Sequence, residues 1–400
     1  MRRRIVVTGV GAISPLGIGA DTLFRRWRDG ESGIEDGKGR CDEFDPGSAL
    51  SKKEQRSTDR FAQLALAAAQ EAMEDAGWDK ELPYEPQDIG CIIGSGFGGI
   101  LTTERQHDVM RERGHKHVSP LTAPMIMPNA ATSSIGMRYG LKGPSACVAT
   151  ACAAGTDSIG VGTRMIQAGD ARAVVAGGAE ASLAEVAIAS SALMGATSKL
   201  GISRPFDARR DGFVMGEGAG VLILEDAEFA EARGATPLAE VLGYGASADA
   251  FHLTAPDPEG GGASYALQRA LTDAALQPED ISYVNAHGTS TPMNDRVETN
   301  ALKRVLGDAA RDIPISSTKS VIGHTIGAAG AVEAIATIHA LRNHVAPPTV
   351  NYDEVDPDLD LDYVPVKARA LPNGNGRLVA LSNSFGFGGH NAVVCLGTPT

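Results

Sequence analysis

The chain has 400 residues, of which 43% are hydrophobic and only 5% aromatic, and carries a formal net charge of −13. The hydrophobic share supports a large buried core and excludes general disorder. The acidic balance argues against a nucleic-acid backbone as partner, and no run of about 18 apolar residues offers a membrane span.

At the start, Met1-Arg2-Arg3-Arg4 precedes the apolar Ile5-Val6-Val7. Thr8, the following glycines and Ser14-Pro15 interrupt that run, so it reads as a strand and turn rather than a signal peptide. Lys52, Lys53 and Arg56 form one compact basic stretch, either a solvated helix face or a docking patch for an acidic protein. Phe61, Leu64, Ala65, Ala68, Ala72 and Ala76 recur at helical spacing and predict a helix over 60–76, stopped by Gly77.

A strand over 89–93 leads into Gly94-Ser95-Gly96-Phe97-Gly98-Gly99, which matches a dinucleotide fingerprint in spacing. The second strand with an acidic end about 20 residues later is missing, so a nucleotide site is not expected. Next comes Cys152, between an expected strand over 147–150 and an Ala-rich helix over 153–168. A thiol at a helix start feels the positive helix end, which favours thiolate, and small neighbours leave the sulfur open. Cys91 and Cys395 sit inside apolar runs and read as inert core. The five cysteines form no CxxC pair and no zinc spacing, so no metal is expected and a reducing cytoplasm is the simplest compartment.

Further strands are expected over 173–176, 221–225, 283–285 and 379–382, and helices over 264–275, 295–306 and 328–342. This alternation reads as α/β with helices on both sheet faces. The loop Pro256 to Gly262 suggests a break near residue 250, giving halves 1–248 and 249–400. Thr150-Ala151-Cys152-Ala153-Ala154-Gly155 is echoed in register by Thr325-Ile326-Gly327-Ala328-Ala329-Gly330, which suggests a duplicated half. The stretch 346–365, rich in Pro and Asp, is expected to wrap the surface.

In the second half, His287 follows a strand directly, within Ala286-His287-Gly288-Thr289-Ser290-Thr291. His324 precedes the Ala-rich helix, five residues after Lys319. Two histidines and a cysteine at strand-to-helix turns suit nucleophilic acyl transfer, with the histidines donating to a developing oxyanion or enolate. The other six histidines, His107, His115, His117, His252, His339 and His344, are expected to face solvent or loops. Finally, Asn383-Ser384-Phe385-Gly386-Phe387-Gly388-Gly389-His390 combines glycines that let backbone N–H groups approach a ligand with aromatics that wall an apolar pocket.

Together these motifs resemble the β-ketoacyl-acyl-carrier-protein synthases, most closely the elongating synthase II type, over essentially the whole chain. The resemblance implies a thiolase-like fold of two duplicated α/β halves stacked as five layers, and a homodimer. It also implies decarboxylating condensation of acyl chains with malonyl-acyl-carrier protein, with no metal or organic cofactor of its own. By motif match, Cys152 is the nucleophile, His287 and His324 stabilise the enolate, and Lys319 supports the site electrostatically. Backbone N–H groups of Cys152 and Phe387 form the oxyanion hole, Phe387 with Phe385 gates the acyl pocket, Thr289 and Thr291 bind the pantetheine arm, and Glu333 orders the Lys319–His324 region. His390 stands where many relatives carry Thr, and Thr102-Thr103 stand where larger apolar side chains often line the acyl pocket. A degradative thiolase would need a second cysteine in a Gly-rich loop, and Cys395 is not in one. An initiating synthase would carry Asn for one histidine, and a non-catalytic chain-length partner would lack the cysteine. An elongating ketosynthase of a polyketide or specialised long-chain acyl pathway is the remaining alternative.

Overall fold

The computed structural model describes residues 2–371 and 376–400, so Met1 lies outside it. Ten strands carry the fold: β1 (Ile5–Ser14), β2 (Ile89–Gly94), β3 (Ser145–Ala146), β4 (Ala173–Ala181), β5 (Met215–Asp226), β6 (Ala239–Ala248), β7 (Tyr283–Asn285), β8 (Ile315–Ser316), β9 (Val379–Gly386) and β10 (His390–Gly397). They lie side by side in the order β8-β7-β9-β10-β6-β1-β5-β4-β2-β3.

That order is one path walked twice. Among the first five strands, β2 is parallel to β3 and β4, whereas β4–β5 and β5–β1 are antiparallel. Among the second five, β7 is parallel to β8 and β9, whereas β9–β10 and β10–β6 are antiparallel. The two units meet where Ile5–Val7 of β1 runs antiparallel to Ala239–Val241 of β6. Because β6 pairs with β10 along its length, topology assigns it to the second unit. The unit boundary therefore falls between Asp226 and Ala239, ahead of the break expected after residue 248.

Period-two alternation then sorts side chains into three apolar layers. Val174 and Ala176 of β4, Leu222 and Leu224 of β5, Ala380 of β9 and Val394 and Leu396 of β10 face a central core. That core also holds α2 (Ala154–Ala168) and α5 (Ala329–Arg342). Val175, Val221 and Ile223 face outward beneath α1 (Arg60–Asp75), and Leu381, Val393 and Cys395 face outward beneath α3 (Gly261–Ala274) and α4 (Pro292–Leu306). The result is five layers, helix–sheet–helix–sheet–helix. Residues 329–341 of α5 are all buried, as a helix that is apolar all round must be. This placement corrects the expectation for His339, which is buried and stacked on Phe24 with ring centroids 5.8 Å apart.

Strands ran longer than expected wherever glycines interrupt the apolar pattern. In β1, a side chain at Gly9 or Gly11 would overlap the backbone of α1; in β5, one at Gly220 would lie 2.7 Å from Val332 N. The glycines mark helices pressed onto the sheet, a tertiary reason that strand propensity does not carry. The strand expected over 147–150 is instead irregular, with pairing confined to Ser145–Ala146. The stretch after Ala346 is stapled down: Asp207 accepts the Asp353 and Glu354 N–H groups at 2.8 Å, and Arg210 reaches Asp356 at 2.7 Å.

The echoed hexads are structural equivalents. Each forms a 3-10 turn, Ala151–Ala153 before α2 and Ile326–Ala328 before α5. Each turn opens on a non-glycine residue in the left-handed region, Ala151 at φ 50° and Ile326 at φ 46°, a strain of roughly 1–3 kcal/mol apiece. The shared glycines explain themselves at the crossing of the two central helices. A Cβ on Gly155 would lie 2.6 Å from Ala331 N, and one on Gly330 would overlap the Thr156 hydroxyl. Gly327 occupies the register of Cys152, and a Cβ there would overlap Gly96 N. The second turn therefore has no room for a nucleophile, and the chain has one such site.

Gly330→Val should lower the unfolding free energy by about 2–3 kcal/mol through overpacking, measured by urea denaturation. Gly136→Ala, where the nearest atom to the new Cβ is 3.8 Å away, should be tolerated. Equal stability of the two variants would contradict the tight-crossing argument.

Candidate active site

Because the helices cross at their first turns, the two strained turns face each other. Cys152, 6% exposed, sits on the first, and His324 lies one residue before Thr325 of the second. The sulfur is 3.0 Å from His324 Nε2. On the far side of that ring, Nδ1 accepts the Ile326 N–H at 3.2 Å. An imidazole whose Nδ1 is already an acceptor carries its proton on Nε2, so His324 presents an N–H donor to the sulfur, not a lone pair. The ring is wedged edge-on against Phe213, centroids 5.4 Å apart.

His287 stands beside it, ring centroids 5.4 Å apart and nearly perpendicular. Its backbone N–H and that of Gly288 both donate to the Glu298 carboxylate at 2.8 Å, which fixes the loop leaving β7. Phe385 closes the other side of the His287 ring at 5.9 Å. Burial pushes both imidazoles well below their ordinary value, and the Lys319 charge pushes in the same direction. Burial thus favours the neutral form of both rings.

Lys319 is 1% exposed and ion-paired with Glu333 Oε1. Burial raises the Glu333 carboxyl to about 7, against the pull of Lys319. For Cys152, burial also wins: it pushes the thiol up to about 11, opposed by the Lys319 charge and by a hydrogen bond from the Phe387 N–H. The resting thiolate expected from the helix start is therefore not met, because desolvation outweighs the helix end. The Lys319 charge and the Phe387 N–H favour the anion once the proton leaves, whereas the Glu180 and Glu333 carboxylates oppose it.

Thr289 is buried, and its hydroxyl meets that of Thr291 at 2.9 Å, where Thr291 caps α4 by accepting the Asn294 N–H. Phe387, 37% exposed, lies between Gly386 and Gly388, the latter at φ 81°. Lys52, Lys53 and Arg56 are exposed on the short helix Lys52–Ser57, and none makes an ion pair among the described residues. Thr102 is buried with its N–H on Asp59, whereas Thr103 is exposed. Cys91 and Cys395 are buried in the outer layers, as their apolar runs implied.

Three carboxylates and one aromatic of the site escaped the sequence reading: Glu180, Glu298, Asp295 and Phe213. Glu180 accepts N–H groups from Gly96 at 2.6 Å, Gly327 at 3.1 Å and Phe97 at 3.3 Å. This disposes of the glycine-rich loop after β2 as a phosphate cradle, because its amides are already engaged. Glu298 lies eleven positions after His287 on α4, and no motif spacing marks it. Among the described residues, no three His, Cys, Asp or Glu side chains gather as a metal site. Three buried oxygens, Asn285 Oδ1, Asn383 Oδ1 and Glu333 Oε2, have no hydrogen-bond partner among the described residues.

Models of two domains match this chain: the β-ketoacyl synthase N-terminal domain over residues 2–230 and the β-ketoacyl synthase C-terminal domain over residues 238–353. The chain belongs to the β-ketoacyl synthase family. It is 44% identical to a 3-oxoacyl-[acyl-carrier-protein] synthase 2 of Synechocystis sp., covering 98% of this chain and 97% of that one. Among solved structures, a β-ketoacyl synthase from Burkholderia phymatum STM815 superposes with a TM-score of 0.90 at 34% identity, with both chains fully covered. A type II polyketide acyl-carrier protein in complex with its ketosynthase bound to the hexaketide also matches, at TM-score 0.90 and 32% identity over the full length of both chains. The fold is thus the thiolase-like fold of these condensing enzymes.

For this ketoacyl synthase, the raised thiol value predicts a pH profile. Alkylation of Cys152 by iodoacetamide should climb about tenfold per pH unit from 6.5 to 9.5, because the thiolate fraction does so below the thiol's pKa. Lys319→Met should slow alkylation at every pH, since losing the positive charge raises the thiol further. A plateau below pH 8 would show a thiolate already formed.

Proposed function

We propose that this β-ketoacyl synthase elongates acyl chains by decarboxylating condensation with malonyl-acyl-carrier protein, giving 3-oxoacyl-acyl-carrier protein in fatty acid synthesis. The observation that carries this reading is the His324 ring, held with its N–H toward the Cys152 sulfur by the Ile326 amide. In the first half-reaction the Cys152 sulfur attacks the thioester carbonyl of a carrier-bound acyl chain. The oxyanion rests on the N–H groups of Phe387 and Cys152, and the pantetheine thiol leaves with the proton that Cys152 gave up. In the second, the bond from the malonyl carbon to its carboxylate breaks and CO₂ leaves. The enolate oxygen accepts from His287 and His324, and its carbon attacks the acyl-cysteine, releasing the Cys152 sulfur. No cofactor is required in this reading, because these donors supply the charge stabilisation and CO₂ loss supplies the electron pair.

The accessory roles follow the same reading. Phe387 gates the acyl channel together with Phe385, Thr289 and Thr291 receive the pantetheine arm, and Glu333 holds Lys319 in place. Exposed, unpaired Lys52, Lys53 and Arg56 support docking of an acidic carrier protein. A second copy of the chain suits the exposed edge strand β3 and the neighbouring helix that carries Met137 at 77% exposure. Among the described residues no helix is long and apolar enough to cross a membrane, and a cytoplasmic enzyme fits that reading. The likeness to a polyketide ketosynthase keeps polyketide elongation as a second reading; profiling which acyl-carrier proteins load Cys152 separates the two.

The half-reactions should separate by mutation. Cys152→Ala should abolish the acyl adduct seen by intact mass yet retain CO₂ release from malonyl-carrier protein. His324→Ala should still form the adduct and lose decarboxylation by about 10²–10³-fold, the usual effect of removing one such donor. The opposite outcome, no adduct with normal CO₂ release, would make His324 the base for Cys152. Reversing Lys53 and Arg56 to Glu should raise KM for carrier-bound substrates and leave small thioesters unaffected, with the difference shrinking at high salt. Equal loss on both substrate types would remove the patch from the interface.

A further inference from the structure

The turn that carries Cys152 is held by a group outside the donors described so far. Asp157 lies on α2, five residues after Cys152, with a side chain that is buried apart from a small edge. Its Oδ2 accepts the hydroxyl proton of Thr150, and its Oδ1 accepts that of Tyr244 on β6 at 2.5 Å. Thr150 is the residue from which the strained turn springs: its carbonyl accepts the Ala153 N–H at 3.0 Å, across Ala151 and Cys152. On the other side β9 passes close to the turn: a Cβ added at Gly386 would lie 3.1 Å from that carbonyl and 3.0 Å from Cys152 N.

The second half of the chain supplies an internal control. Thr325 occupies the register of Thr150, opens an equally strained turn, and leaves its buried hydroxyl with no partner among the described residues. The helix residue in the register of Asp157 is Val332. The carboxylate and the tethered hydroxyl thus occur together on the turn that bears the cysteine, and both are missing from the turn that bears Gly327. Maintaining the fold of a strained turn before a central helix does not require them.

Tyr244 is itself fixed. A Cβ at Gly160 would overlap its ring, its N–H donates to Asp273 at 2.9 Å, and the Arg164 guanidinium lies over the ring at 5.9 Å. The imidazole facing Asp157 from the gate side is that of His390, whose ring packs against Gly388 beside Phe387. Burial raises the Asp157 carboxyl above the usual carboxylate value, and the two hydroxyls and His390 pull it back down.

We propose that Asp157 is a positioning residue for acyl transfer, acting through Thr150 to hold the strained turn so that the Cys152 sulfur meets the incoming thioester. This rests on Cys152 being the nucleophile. The bond acts on sulfur placement and not on the histidine donors, so it should affect loading and spare decarboxylation.

The test uses the full-length enzyme and reads three quantities: the rate of acyl loading by intact mass, CO₂ release from malonyl-carrier protein in a Cys152→Ala background, and thermal stability. Thr150→Val should slow loading about 10- to 100-fold, the scale of a small misplacement of a reacting atom. The same change added to Cys152→Ala should leave CO₂ release where Cys152→Ala alone sets it. Thr150→Ser, which keeps the hydroxyl, should restore most of the loading rate. Asp157→Val, copying the second half, should match Thr150→Val, and the double variant should be no slower than either single one. Loading at the wild-type rate in Thr150→Val overturns the proposal, as does loss of loading and CO₂ release to the same degree. Should Thr150→Ser fail as badly as Thr150→Val, the hydroxyl is not the working group and the proposal also falls. No adduct on wild-type Cys152 with any acyl-carrier protein would instead count against the nucleophile assignment, a separate failure.

Discussion

The close crossing of the two central helices is the constraint on which the rest of the structure depends. Gly155 and Gly330 let α2 and α5 approach at their first turns, and that approach sets the two strained turns face to face. Cys152 and His324 are 172 positions apart in sequence, and nothing local brings them together. The crossing does. It also explains why the duplicated fold yields one site and not two, because Gly327 is pressed on the Gly96 amide where the second nucleophile would stand.

Around that contact the site is built almost wholly from fixed donors. The strand-end loops of the two halves are each pinned by a buried carboxylate, Glu180 for the loop after β2 and Glu298 for the loop after β7. Burial lifts both of these acids to about 7, against the several N–H groups they accept. These acids spend their hydrogen-bonding capacity on the backbone, which leaves the Nε2–H of His324 and the Phe387 N–H to face the reacting atoms. Donors held in place this way need no reorganisation when charge develops. Neutral histidines are essential to this arrangement, and desolvation keeps them neutral with help from Lys319.

Much of this was legible in the sequence, for identifiable reasons. The helices over 60–75 and 329–342 announce themselves by apolar spacing, and the echo of Thr150–Gly155 in Thr325–Gly330 marks the duplication that the sheet order repeats. Cys152, His287 and His324 stood out because each lies in a segment of small residues that leads into a helix. What stayed hidden depends on partners distant in sequence. The glycines of β1 and β5 look like strand breakers until a helix is pressed against them. Glu180 and Glu298 look like surface charge until the loops they hold are known. His339 looks solvent-facing until α5 is found in the central layer. The protonation of Cys152 follows the same pattern: the helix start was visible, and the depth of burial was not.

The central claim is that His324 acts as a donor whose tautomer is set by the Ile326 amide. The most direct measurement is ¹⁵N NMR of the histidine-labelled enzyme across pH 5.5 to 8.5, with His324 assigned by comparison with His324→Gln. The account predicts a neutral ring throughout, with the proton on Nε2 and an unprotonated, hydrogen-bonded Nδ1. A proton on Nδ1, or a ring that titrates to imidazolium near pH 6.5, would contradict it and return His324 to the role of base for Cys152.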